Sequence, residues 1–140
     1  MIIYTLIPWL FLFLIYSFFG TKVALLYFAA SVFGISILEA QNYFSHYGLR
    51  RIQKEDGNYE GVKAIHSWNS DHIFGRVLLF ELTRHSDHHY LGAKPYQLLE
   101  SREESPMLPF GYPAMLILSY LPFLFIPIMG KQLKKYGIES

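Results

Sequence analysis

MIIYTLIPWLFLFLIYSFFG, Met1 to Gly20, decides what kind of fold this chain can adopt. It is almost unbroken apolar sequence, close to the ~20 residues that a membrane-spanning helix needs. It has neither a basic opening nor a small-residue cleavage site, so it does not read as a secretory signal peptide. Pro8 is tolerated inside a membrane helix at the cost of a kink. Thr21-Lys22 is the only polar break before Val23 to Leu38, a second run of the same character, and Gly20 suits a turn there. Two such runs with so short a break predict a tight transmembrane helical hairpin over residues 1–38.

Composition sets the outer limits. The 140 residues suffice for one domain but are few for a complete multi-helix membrane enzyme. Hydrophobic residues make up 52% and aromatics 18%, a rich mixture for a water-soluble domain. The formal charge of +1 gives no ground for nucleic-acid binding. Without cysteine there is no disulfide framework, thiolate metal site or cysteine-ligated iron–sulfur cluster. Electrons for any redox chemistry must therefore come from another protein, and metal ligation must rest on histidine and carboxylates.

Working outward, the second apolar run passes through Glu39 into NYFSHYGLRR, Asn42 to Arg51, which brings His46 to the end of a membrane helix. On spacing alone, His46 reads as an interfacial residue as readily as a ligand. Arg50 and Arg51 stand where basic side chains can snorkel to headgroups. Ile52 to Lys63 is a polar, glycine-containing loop. In HSWNSDH, His66 to His72, Asn69 or Ser70 is the expected N-cap of a further helix, with Asp71 in its first turn. That helix is predicted to run from Ile73 through RHSDHH, Arg84 to His89. At ~100° per residue, His88 then lies ~60° to one side of His85 and His89 ~40° to the other. Three imidazoles on one face satisfy most of the inner shell of a transition metal. Glu81, one turn before His85, is placed to accept from an imidazole. Asn42, His72 and Asp87 are further candidates to support the ligands, His72 in a capping role because a straight helix puts it ~20 Å from His85. Phe74 and Leu78 share the histidine face and could pave an apolar substrate approach. His66 belongs to no spacing pattern and receives no role.

After a polar connector, Gly92 to Ser105, the stretch Met107 to Met129 is apolar again but carries Pro109, Pro113, Pro122 and Pro127. Four prolines argue against one straight span. Arg50, Arg51, Lys54, Lys63, Arg76, Arg84, Lys94 and Arg102 place the region between the apolar runs in the cytoplasm by the positive-inside tendency. Lys131, Lys134 and Lys135 obey the same tendency only if residues 107–129 form a re-entrant or interfacial segment. The fold expected is all-α and integral to the membrane: the hairpin, a cytoplasmic metal-ligand region over 39–106 with its histidine-bearing helix, and the proline-broken segment. Both termini would then be cytoplasmic.

NYFSHYGLRR resembles the NYxEHYG box, and SWNSDH followed by LTRHSDHHY resembles the last histidine box, of the integral-membrane alkane 1-monooxygenases. The xylene monooxygenases share these boxes, and YQLLES and LPFGYPAM read like the family's C-terminal part. The resemblance implies a non-haem di-iron enzyme in the bacterial inner membrane, its active site facing the cytoplasm. Such an enzyme inserts one atom of O2 into the terminal C–H bond of an n-alkane with electrons from rubredoxin. It also implies that His46, His85, His88 and His89 are iron ligands. Two departures stand out. The glutamate before the HYG histidine is Ser45 here, and the two earlier boxes, of HExxH and HxxxHH type, are absent. The chain thus resembles one partial domain, residues 1–140, that needs an N-terminal half or partner chain carrying the other histidines.

The residues by themselves agree with that limit. Four imidazoles can hold one metal, iron or zinc by ligand type, whereas a di-iron centre with room for O2 needs more ligands. Attack on an unactivated C–H bond requires a metal centre, since no side chain can substitute for it. Two other readings use the same residues: a fatty-acid desaturase or sterol-hydroxylase relative, against which the HYG box speaks, and a non-catalytic membrane metal-binding protein, which the missing boxes favour.

Overall fold

The computed structural model describes residues 2 to 138 of the chain; Met1 and Ser140, on which the expected placement of the termini turns, lie outside the described residues. Regular structure among the described residues is helical: α1 (Ile2–His46), α2 (Ile73–Leu78), α3 (His85–Tyr90), α4 (Tyr112–Ser119) and α5 (Pro122–Lys135), with single 3-10 turns at Ala64–His66 and Tyr96–Leu98. Among the described residues, extended chain pairs only at isolated bridges, Gln53 with Tyr59 and Asn69 with Met107. The chain divides into two compact units, Met1–Glu39 and Ala40–Ser140.

In the first unit Gly20 interrupts α1 with φ 80° and ψ 177°, a conformation essentially reserved for glycine. On an uninterrupted helix, residues 11 and 27 would be ~24 Å apart. Instead the Phe11 and Tyr27 rings meet with centroids 5.9 Å apart, so the chain doubles back at Gly20. Trp9, Leu12 and Phe13 share an apolar cleft with Ala24, Leu25 and Phe28. The hydroxyls of Ser17 and Ser31 donate to the carbonyls of Phe13 and Tyr27, each at 2.8 Å, which satisfies them without water. Tyr4–His46 is long and apolar enough to cross a membrane, yet only 6% of its most apolar window is buried. A core helix of a soluble domain would hide that surface. A helix apolar all round and exposed belongs in lipid, and the chain is an all-helical membrane protein.

The second unit is built the other way. Phe44, Trp68, Leu108, Tyr112, Met115, Phe125, Met129 and Leu133 form one buried apolar cluster. Pro113 and Pro122 stand in the first turns of α4 and α5, where a missing N–H costs nothing. Pro122 also prevents α4 from continuing. The two helices have 8 and 14 residues, each short of the ~20 that a span needs. α5 ends in a Schellman motif, with Ile138 N–H donating to Leu133 O at 3.0 Å and Gly137 N–H to Lys134 O at 3.1 Å. Gly48 turns the chain after α1 at φ 74°, and a Cβ there would lie 2.6 Å from Leu133 Cδ1. The HYG glycine is therefore required twice over, for its dihedral and for space.

The extended stretch after the Ala64–His66 turn runs through the middle of this unit. Trp68 N–H donates to Ser45 O at 2.8 Å and its indole to Tyr47 O at 2.8 Å. Asn69 N–H donates to Pro106 O, Leu108 N–H to Asn69 O, and Ser70 N–H to Thr83 O, at 2.8–3.0 Å. Three segments distant in sequence, around residues 45–47, 83 and 106–108, are thereby tied to residues 68–70.

One expectation is corrected here. The helix from Ile73 does not continue through the histidines: α2 stops at Leu78, and α3 begins afresh at His85. Between them Phe80 and Glu81 have φ of 50° and 63°, left-handed values that cost non-glycine residues ~1–2 kcal/mol each. The Glu81 N–H bonds to Arg76 O at 2.8 Å, and the Glu81 carboxylate grips the Arg76 guanidinium at 2.8 and 2.9 Å. That tertiary clip stabilises a break that carries no glycine or proline. The N-cap of α2 is His72, without a side-chain cap bond, rather than Asn69 or Ser70.

Candidate metal centre

α3 is a helix of six residues, too short to be stable by its own propensity, and polar contacts on the side away from the imidazoles hold it. The Asn69 side-chain carbonyl accepts from Ser86 N–H at 2.9 Å, which caps α3 from 17 residues upstream. Ser105 Oγ donates to Ser86 Oγ at 2.6 Å and also lies 3.1 Å from Ala64 O. Asp87, fully buried, receives Lys94 Nζ at 2.8 Å, Arg102 Nε at 2.6 Å and Glu100 N–H at 3.0 Å. Burial alone would raise its carboxyl, but these three donors outweigh that and hold it down at about 2. The Arg102 guanidinium also lies over the Tyr90 ring at 4.4 Å.

With α3 held so, the imidazoles meet His46 from the end of α1. The ring nitrogens of His46, His85 and His89 lie within 4.8 Å of one another. His85 Nε2 is 2.9 Å from His89 Nε2 and 3.3 Å from His46 Nε2. Two nitrogens each ~2.1 Å from a common ion, at ~90–110°, lie ~3.0–3.4 Å from each other, so the donor set fits a metal. His88 stands beside the group, its ring 6.2 Å from that of His85 and 5.6 Å from that of His89, and its nitrogens are not among the convergent ones.

The electrostatics suit a cation. Burial first, then the neighbouring His89, His46 and His88 rings, push His85 down to about 3. His89 is lowered by burial and by His46 and His88. Neutral imidazoles with free lone pairs are what a transition metal binds. His46 Nδ1 is 2.9 Å from the His66 carbonyl, so Nδ1 carries the proton and Nε2 presents its lone pair to the cluster. His85 Nδ1 is buried without a hydrogen-bond partner.

Other residues singled out in the sequence do different work. Glu81 is taken up by Arg76 and lies 3.4 Å from Arg84 Nε; with the helix broken, it no longer sits one turn behind His85. Asp87 anchors α3 instead of touching an imidazole. Asn42 and His72 are exposed, and the His72 ring packs near Gly111. Phe74 and Leu78 are 71% and 55% exposed on α2. Ser45 is buried and donates to the Tyr112 hydroxyl at 3.2 Å, so the glutamate missing there would have had to lie among Phe44 and Tyr112. Sequence reading missed the His66 carbonyl, the Asn69 cap and the Lys94–Arg102 brace, because they act across 7 to 20 residues and at no helical spacing.

A family model described as fatty acid desaturase matches residues 1–126. The alkane 1-monooxygenase of Pseudomonas putida is 41% identical over 124 residues, covering 89% of this chain and 31% of its own length. Alkane 1-monooxygenase 1 of Pseudomonas aeruginosa is 43% identical over 102 residues, 73% of this chain and 27% of its own. The xylene/toluene monooxygenase hydroxylase component XylM of Pseudomonas putida is 30% identical over 112 residues, 80% and 29% respectively. The chain thus spans less than a third of the length of these relatives. By the extent of its match, this chain belongs to the fatty acid desaturase family, with alkane 1-monooxygenases among its homologues.

Proposed function

We propose that this chain contributes part of the metal centre of a membrane non-haem di-iron monooxygenase that hydroxylates the terminal carbon of n-alkanes with O2 and electrons from rubredoxin or a similar donor. The observation that carries the reading is the convergence of the His46, His85 and His89 ring nitrogens within 4.8 Å. His46, His85 and His89 would hold iron through Nε2, and His88, one helical step from His89, would supply a further ligand. The remaining ligands come from an N-terminal half or partner chain. Iron, when bound, supplies the activation of O2 that an unactivated C–H bond demands. The protein residues keep His85 and His89 neutral through burial, fix the His46 tautomer through the His66 carbonyl, and brace α3 through Asp87. In this reading residues 1–38 form the transmembrane hairpin, 39–106 the cytoplasmic ligand region, and 107–129 a re-entrant or interfacial segment, in the bacterial inner membrane.

Elemental analysis of the full-length protein purified in detergent tests the proposal. His85→Ala and His89→Ala should lose most of the bound iron, and His72→Ala should not. Equal iron in all three variants would sink the assignment.

A further inference from the structure

We propose that His66 is a positioning residue for the metal centre: its side chain, wedged between Lys63 and Glu60, holds its own carbonyl against His46 Nδ1. The inference rests on the metal-site reading above but concerns a residue that no spacing pattern singles out.

His66 is 7% exposed, unusual for a histidine in a polar loop. Its Nδ1 accepts the Lys63 N–H at 3.0 Å, while its own N–H donates to Lys63 O at 3.1 Å. These two bonds close the Ala64–His66 turn on itself. Its Nε2 lies 3.2 Å from Glu60 Oε1, close to the carboxylate but outside hydrogen-bond geometry. Glu60 is itself fixed, by the Lys63 ammonium and by Ile52 N–H at 3.1 Å. Because Nδ1 is an acceptor, the proton of neutral His66 sits on Nε2, facing the carboxylate. The ring therefore has one tautomer and one orientation. Downstream, Trp68 N–H clamps the chain to Ser45 O at 2.8 Å. Between these fixed points the His66 carbonyl has little freedom, and it ends 2.9 Å from His46 Nδ1. Ser67 Oγ, 3.4 Å from the same nitrogen, is too distant to replace it.

This arrangement lets the two sides of one residue act together. The imidazole sets the turn, and the carbonyl selects which His46 nitrogen faces the cluster. A hydrophobic residue at 66 would leave the Lys63 N–H without its acceptor and Glu60 without its counterpart. The carbonyl would then drift, and the His46 ring would populate both tautomers. Groups behind metal-bound histidines of this kind typically change affinity by about ten- to a hundredfold.

The experiment uses the full-length protein labelled with 15N-histidine. Nitrogen NMR of the metal-free form reads the His46 tautomer, and iron titration reads affinity. Wild type should hold the His46 proton on Nδ1. His66→Ala should mix the tautomers and raise the iron dissociation constant by about ten- to a hundredfold. His66→Asn, whose side-chain oxygen can accept from Lys63 N–H, should recover most of that loss. Glu60→Gln, which leaves the His66 backbone and its Nδ1 bond in place, should shift both readouts in the same direction by less, and it carries the comparison if His66→Ala does not fold. Unchanged tautomer and affinity in these variants would overturn the proposal. So would total loss of iron in His66→Ala at saturating iron, since that is the behaviour of a ligand. If His85→Ala keeps its iron, the metal-site reading fails, and the tautomer readout still decides the role of His66.

Discussion

Between residues 4 and 39 only Ala24 is buried among the described side chains, while Phe18, Phe19 and Leu26 are 78%, 68% and 72% exposed. Between residues 40 and 138, Ser45, Ser67, Asn69, Thr83, Ser86 and Asp87 are fully buried. One unit wears its apolar residues outside and hides almost nothing. The other hides polar groups and spends its hydrogen bonds on them. The difference follows from solvent. In lipid, apolar side chains gain nothing by turning inward, so a helix needs only to satisfy its own polar groups. In the second unit an apolar cluster can form, and the buried side chains of Ser45, Asn69, Ser86 and Asp87 each find a hydrogen-bond partner. Those partnered groups surround His46 and α3, so positional accuracy is concentrated at the metal site.

The largest expected effect comes from removing the most heavily partnered of these groups. Asp87→Ala strands Lys94 and Arg102 with no shared acceptor and leaves Glu100 N–H unbonded. Breaking a buried ionic network typically costs about 3–5 kcal/mol. Denaturant titration in detergent should show that loss together with weakened iron binding, since α3 carries His85, His88 and His89. Wild-type stability would mean that the network is ornamental and the contrast between the units overdrawn.

The two glycines that turn α1 and its end sharpen the comparison, because each unit contains one. Gly48 has φ 74° and no room: a Cβ would stand 2.6 and 2.7 Å from the buried methyls of Leu133. Gly48→Ala combines left-handed strain with overpacking, together about 2–4 kcal/mol. Gly20 has φ 80° and nothing within 4 Å, so Gly20→Ala should cost strain alone, about 1–3 kcal/mol. Adding Leu133→Ala as a background should relieve part of the Gly48→Ala penalty and none of the Gly20→Ala penalty. Equal relief in both, read from melting in detergent, would contradict the packing described for the second unit.

The units also differ in how much the sequence reveals. The apolar runs and their break at Gly20 need only composition and one glycine, both local signals. Spacing put His85, His88 and His89 on one face, and of these the nitrogens of His85 and His89 converge while those of His88 do not. What spacing could not show was the helix break, since Phe80 and Glu81 are poor left-handed residues held there by Arg76. Asn69 looked like the cap of the helix that follows it and instead caps α3. His66 had no partner at a helical spacing, because its contribution is a backbone carbonyl. Local chemistry could be read in order along the chain, whereas roles that join distant segments waited for the fold.

The smallest expected effect is a graded loss of stability in mild acid, confined to the second unit. His85 is held neutral with its folded value near 3 against the usual 6.5, chiefly by burial. The unfolded chain therefore binds more protons than the folded one between those values, and stability falls as pH drops from 6.5 toward 3. At pH 5.5, one unit below the free value, the metal-free protein should have lost about 1.4 kcal/mol from this group. Asp87 adds a separate step. Its folded value near 2 lies below the usual 3.8, so its contribution is intact above 3.8 and is lost between 3.8 and 2. A His85→Gln variant should reduce the first decline, with the lowered His89 carrying what remains, and keep the second, whereas Asp87→Asn should keep the first and reduce the second. Glu60, also held near 2 by Lys63 and Ile52, falls in the lower window, so Asp87→Asn should reduce the acid step without abolishing it. A wild-type profile flat from pH 7 to 4 would show that His85 is open to water, and the sheltered histidine cluster would then have to be redrawn.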